Sequence, residues 1–219
     1  MSIHGSPKSL KSKLAKSAGL SCAEGGTKVW SEWMVGPRAK VLYVGQEEDE
    51  DELKRSMEMI NAKEQFFYAT DNFYYVTKDY QMVLETPDGL KHLEDMVQEI
   101  DPTILILDPW SELHGLDDAE THKQLGVIRK VRTIKPEMGI IVVHHDCKPG
   151  EFRTSGTAAA MRGSALRQVS DSIINVIKSE RAGETKVRLS FECRYAGNVN
   201  NGIPFDLRYD ELTDTFIRI

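Results

Sequence analysis

Apolar residues along this chain gather in two patterns of different period. Short continuous runs, closed off by polar or turn residues, occur at 39–44 (AKVLYV), 103–108 (TILILD) and 139–143 (GIIVV). Runs of this length read as strands buried on both faces of a parallel sheet. Between them the spacing turns helical. Leu90, Leu93, Met96, Val97 and Ile100 mark an amphipathic helix over 86–100, with Pro87 and Asp88 in its first turn. Further helices are expected over KLAKSAGLSCA, over 53–62, over about 121–134 and over about 161–169; the third stops before Pro136. The aromatic-rich stretch 66–84 follows neither period and reads as an irregular strand with a loop. Toward the C-terminus SIINVIKS and KVRLSFEC alternate in strand fashion, with shorter strands after them. Strands separated by helices imply a mainly parallel sheet with right-handed crossovers, and the closing hairpins an antiparallel edge. The expectation is one α/β domain over residues 1–219, without repeats or linkers.

The octet GSPKSLKS, Gly5 to Ser12, stands between a short apolar stretch at Met1–Ile3 and the first helical segment. It is nearly a phosphate-binding P-loop, whose pattern is Gly, four residues, Gly, Lys, then Ser or Thr. In such a loop the backbone N–H groups of Gly5, Ser6, Pro7, Lys8, Ser9, Leu10, Lys11 and Ser12 would curl around phosphate, Pro7 alone lacking a donor. Lys11 would reach the β- and γ-phosphates and the Ser12 hydroxyl would ligate Mg²⁺, with the positive end of the helix behind them. Leu10 stands where the second glycine belongs, so it must tolerate a backbone geometry that glycine normally supplies. Only four residues precede Gly5, so the usual first strand is expected to be shortened or missing. The apolar run ending at Asp108 strengthens the reading, because it delivers a carboxylate to the sheet edge where α/β folds bind ligands. There Asp108 can hold the Mg²⁺ of a bound nucleotide, directly or through water.

Composition changes this picture little. Of 219 residues, 40% are hydrophobic and 28% charged, which suits one well-buried α/β domain. No segment approaches the roughly 20 apolar residues of a membrane span and no leader is apparent, so a cytoplasmic protein with no membrane partner is expected. Cys22, Cys147 and Cys193 are odd in number and widely spaced, which indicates neither a disulfide framework nor a zinc site. A net charge of -6 speaks against a broadly basic surface but leaves room for a local basic loop.

Four segments in order, GSPKSLKS, VLYVGQEE, ILILDPWSELHG and IIVVHH followed by a loop and RGSALRQVSDSIINV, resemble the RecA-like P-loop ATPases, and within them the plasmid RepA-type hexameric helicases. The resemblance covers roughly the whole chain. It implies a RecA-like fold and a ring-forming, ATP-hydrolysing motor acting on DNA, a replicative helicase or close relative, with ATP and Mg²⁺ as cofactors. The alternatives are a recombination or repair ATPase that does not unwind, and a nucleotide-gated assembly module with little hydrolysis.

Carried to this chain, the resemblance makes Asp108 the Walker B acid and Glu47 the glutamate that orients the attacking water, with Glu48 as its one-residue competitor. One of His144 and His145 would be a sensor near the γ-phosphate, and the two cannot share that task because adjacent strand residues point to opposite faces. Arg194 falls where these ATPases carry a Lys-x-Arg finger that reaches a neighbouring subunit's nucleotide, although Glu192 replaces the lysine. The loop 146–162 corresponds to DNA-contacting loops of the ring channel, with Lys148, Arg153 and Arg162 as contacts to single-stranded DNA. The partners implied are a homo-hexamer and single-stranded DNA.

Overall fold

Alternation along the central strands divides the core into two layers. The computed structural model describes residues 1–117, 120–145, 165–181, 183–194 and 203–219. Its main sheet has nine strands: β1 (Ser2–Gly5), β4 (Val41–Gly45), β5 (Phe73–Val76), β6 (Ile104–Asp108), β7 (Gly139–His145), β8 (Ser172–Arg181), β9 (Glu184–Cys193), β10 (Phe205–Asp210) and β11 (Thr215–Arg218). A small separate hairpin pairs β2 (Lys28–Val29) with β3 (Trp33–Met34). The helices are α1 (Lys11–Glu24), α2 (Glu50–Glu64), α3 (Ala69–Asn72), α4 (Pro87–Ile100), α5 (Thr121–Ile134) and α6 (Ala165–Val169), with a 3₁₀ turn at Trp110–Glu112. Val41, Tyr43 and Ile106 face the layer that holds α1 and α2, while Leu42, Val44, Leu105 and Leu107 face the layer that holds α4 and α5. Both faces are therefore apolar, which is why these strands read as continuous runs.

The strand order is β11-β10-β9-β8-β1-β7-β6-β4-β5. From β8 to β5 all neighbours run parallel, and β8 through β11 form an antiparallel meander. The expected mainly parallel sheet, flanked by helices and closed by antiparallel C-terminal strands, is what the chain forms. Of the two outcomes expected for the first strand, shortened or missing, the chain shows the former: β1 has four residues and is wholly buried between β7 and β8, in register with Val142–His145 on one side and Ile173–Val176 on the other. One expectation needs correction: the stretch 66–84 holds more order than an irregular strand, because its residues supply α3 and the parallel edge strand β5 before a loop. Its aromatics are divided, Phe73 being core and Phe67 78% exposed.

Local chemistry sets the helix boundaries. Thr86 caps α4 by accepting from the Gly89 amide at 3.1 Å, with Pro87 following it. The acidic run after β4 is a capping box: the Asp49 side chain accepts from the Glu52 amide, the Glu52 side chain reaches back, and the acids of the first turn complement the helix dipole. Gly19 lets α1 sit close on the sheet, since a Cβ there would lie 2.8 Å from side chains of Ile106 and Phe73. No described helix is long and apolar enough to cross a membrane.

Candidate nucleotide-binding site

Strand order brings four chain segments to one edge of the sheet. β7 lies between β1 and β6, and β4 lies beyond β6, so the carboxyl ends of all four emerge side by side, Gly5 opposite His145 and Gly45 opposite Asp108. Gly5 is required where it stands: a Cβ would fall 2.4 Å from the Val176 carbonyl oxygen. The loop after it turns through two left-handed residues, Lys8 (φ 62°) and Leu10 (φ 69°), and the Ser9 amide donates to the Ser6 carbonyl at 3.3 Å. Leu10 thus adopts the conformation that the missing glycine would have taken, at a cost of about 1–2 kcal/mol. The N-terminus of α1 carries no side-chain cap. The Lys11 ammonium donates to the Ser6 carbonyl at 2.8 Å and to the Ser9 hydroxyl at 3.4 Å, and so lies across the loop.

Behind the loop the Ser12 hydroxyl donates to Asp108 Oδ1 at 2.9 Å, and the Tyr43 hydroxyl donates to Oδ2 at 2.6 Å. Burial pushes the Asp108 carboxyl up to about 6; the hydrogen bonds from Tyr43 and Ser12 oppose that rise, and the charges of Glu47 and Glu48 add to it. Burial, assisted by Asp108, also pushes the Tyr43 hydroxyl well above its ordinary range, so it remains a donor. A serine hydroxyl and a carboxylate offer hard oxygen donors at one point. That suits Mg²⁺, which binds through one or two protein oxygens together with phosphate and water. Among the described residues no three His, Cys, Asp or Glu side chains cluster to hold a metal without such help.

The two glutamates after β4 part company. Gln46 anchors the turn: its amide N–H donates to the Asp108 carbonyl at 2.8 Å, its side chain donates to the carbonyls of Thr77 (3.3 Å) and Tyr80 (3.2 Å), and it accepts from the Met82 amide. Glu47 Oε1 lies 3.3 Å from His145 Nε2. Its carboxyl is held below the ordinary range chiefly by that hydrogen bond; partial burial opposes, and the charges of His145 and Lys11 add to the effect. Glu48 turns instead to Lys16 Nζ at 2.6 Å. His144 is buried and His145 is partly exposed beside Glu47, so the adjacent histidines do occupy different surroundings.

Arg194 is at the other end of the sheet. β8 starts where β9 ends, Ser172 opposite Cys193, and runs from there to Val176 beside Gly5. The Arg194 guanidinium donates to the Gln168 and Arg167 carbonyls at 3.0 and 3.1 Å, capping α6, while Glu192 lies 3.4 Å from Arg167. Lys148, Arg153 and Arg162 lie outside the described residues.

Sequence reasoning passed over Tyr43 and a polar cluster beside the site. Lys16 on α1 is fully buried and bonds Glu48 and Ser56; Ser56 bonds Asp214, which also accepts from Lys13 at 2.7 Å and from the Tyr209 hydroxyl at 2.5 Å. A lysine inside the helical stretch KLAKSAGLSCA, among residues apolar enough for a core, was the available signal.

A family model described as an AAA domain matches residues 1–151. No curated protein matches the chain. Among solved structures, the chain is similar to the crystal structure of a KaiC-like protein from the hyperthermophilic archaeon Pyrococcus horikoshii OT3. The likeness has a TM-score of 0.60 at 14% identity, over 100% of this chain and 88% of that one, and it is a likeness of fold.

Proposed function

This chain belongs to the AAA domain family and has the fold of a RecA-like P-loop ATPase; from that premise we propose a Mg²⁺-dependent, ring-forming ATPase that moves on DNA, in the manner of the RepA-type helicases it resembles. The observation that carries the reading is the meeting of Lys11, the Ser12–Asp108 pair and the Glu47–His145 pair at one sheet edge. Phosphoryl transfer asks little covalent help of a protein and much positioning and charge stabilisation. Lys11 would leave the Ser6 carbonyl for the β- and γ-phosphates, and Glu47 would orient the attacking water. His145 would report the presence of the γ-phosphate through its bond to Glu47. Mg²⁺ held by Ser12 and Asp108 would supply charge neutralisation on the phosphate oxygens.

Ring formation draws support from Arg194. It sits at the edge of the sheet opposite its own P-loop, so it could serve a nucleotide only across a subunit boundary. To do so it must release the α6 carbonyls. A second reading, a nucleotide-gated assembly module with little hydrolysis, is favoured by Leu10 and by Glu192, which stands in the family's lysine position and lies beside Arg167.

The test is ATP turnover with and without single-stranded DNA, run with the oligomeric state measured by native mass spectrometry. Turnover raised by DNA in a hexameric species is the expected result. Oligomers that form with ATP but do not hydrolyse it would replace the motor with the assembly module. Real turnover indifferent to DNA would remove the DNA motor and keep the ATPase.

A further inference from the structure

Lys16 is five residues beyond Lys11 on α1, and at 3.6 residues per turn that places it about 140° around the helix. It is not a second phosphate lysine. Its side chain is 0% exposed, and its ammonium reaches Glu48 Oε2 at 2.6 Å and the Ser56 hydroxyl at 3.0 Å. Burial lowers its pKa, against the opposing pull of Glu48. A buried ammonium is costly unless its partners are well placed, and removal of one partner leaves an uncompensated charge. Such an ion needs a reason to be there.

The reason lies in the turn between β4 and α2. Adjacent residues at a strand end point opposite ways, so a slip of one residue would exchange Glu47 and Glu48. Gln46 fixes the turn on one side, through the Asp108 carbonyl and the 77–82 loop. Lys16 fixes it on the other, by holding Glu48 against α1. Glu47 is left between these anchors, beside His145. The same ammonium is tied through Ser56 to Asp214, and Asp214 to Lys13 and Tyr209, so the anchor extends from the P-loop helix to the C-terminal hairpin.

We infer that Lys16 is a positioning residue for phosphoryl transfer: by holding Glu48 it sets which of two adjacent glutamates faces the phosphate site. The inference rests on the reading of Glu47 as the group that orients water, and its test separates the two.

Lys16→Met, close to lysine in shape but uncharged, is compared with Lys16→Arg, Glu48→Gln and the surface control Lys54→Met. Three quantities are measured: kcat, the Kd of Mg²⁺-ATP, and amide hydrogen exchange over residues 46–53. Displacement of a catalytic group by about an ångström costs about 10²-fold in rate. Lys16→Met and Glu48→Gln should each lower kcat by about 10- to 100-fold with Kd changed less than about 3-fold, and the double variant should be no worse than the singles. Lys16→Arg should recover part of the loss. Exchange over 46–53 should quicken in Lys16→Met and not in Lys54→Met. An unchanged kcat, or a loss confined to Kd, overturns the inference. If Lys16→Met does not fold, Glu48→Gln is read by the same criteria. If the parent protein binds Mg²⁺-ATP but does not turn over, the hydrolytic reading fails and exchange alone decides: faster opening of 46–53 supports the anchor, and unchanged protection removes it.

Discussion

Asp108 shows how a single buried carboxyl ties this protein's stability to pH. Its folded pKa of about 6 is above the ordinary 3.8, so the stability it contributes is complete below about pH 4 and is lost as pH rises through 6. Without nucleotide, the Asp108 contribution alone should therefore fall between pH 4 and pH 7, by on the order of 2–3 kcal/mol. Asp108→Asn, which cannot titrate, should be more stable than wild type at pH 7.5, and the gap should close at pH 4 in urea melts. A gap independent of pH would contradict this. Tyr43→Phe removes a 2.6 Å donor from the same carboxylate. It should cost about 1–3 kcal/mol at pH 7 and less at pH 4, where the acid is neutral; equal losses at both would assign the effect to packing.

At the scale of elements, the P-loop depends on close backbone approach. Gly5→Ala sets a Cβ 2.4 Å from the Val176 carbonyl, which backbone must move to relieve. Calorimetry should show a loss of at least about 2 kcal/mol together with weakened ATP binding; a Tm within about 2 °C of wild type would mean that β1 and β8 are free to part. Much at this scale was legible in the sequence. The run TILILD and the helix over 121–134 were readable because both faces of one and one face of the other are apolar in regular periods. The hairpin β2–β3 and the short α3 were not, being too small to show a period: the hairpin is held by Trp30, Trp33, Phe191 and Phe205 meeting edge to face or stacked from distant parts of the chain, and α3 by Ala69 in the core and the Asn72 side chain donating to the Ala23 carbonyl. Within the candidate site, the placement of Lys11 on the loop and of Ser12 beside Asp108 was legible, because the octet and the apolar run ending in a carboxylate put those residues at one sheet edge. Lys16 and Asp214 were not, because their meaning comes from partners 32 and 201 residues away.

Across the whole molecule, the order β8-β1-β7-β6-β4 decides what the protein can do. It gathers the P-loop, His145, Asp108 and Glu47 on one edge, while the pairing of β8 with β9 puts Arg194 on the other; under the proposed function one chain would supply the phosphate side of a site and its neighbour the arginine. Arg194→Ala should reveal both roles. It should cost about 1 kcal/mol of stability through the exposed α6 carbonyls, and, if the proposed ring forms, mixing it with wild type should depress turnover more steeply than its mole fraction. A loss in strict proportion would make Arg194 a helix cap only. The most direct test of the central claim is steady-state ATP hydrolysis in Mg²⁺ by wild type, Lys11→Ala and Glu47→Gln, with nucleotide binding measured alongside. Wild type should turn over ATP, Lys11→Ala should lose both binding and turnover, and Glu47→Gln should bind ATP with turnover reduced by at least about 100-fold. A wild-type protein that does not bind ATP, or a Glu47→Gln protein that hydrolyses it at the wild-type rate, would contradict the claim.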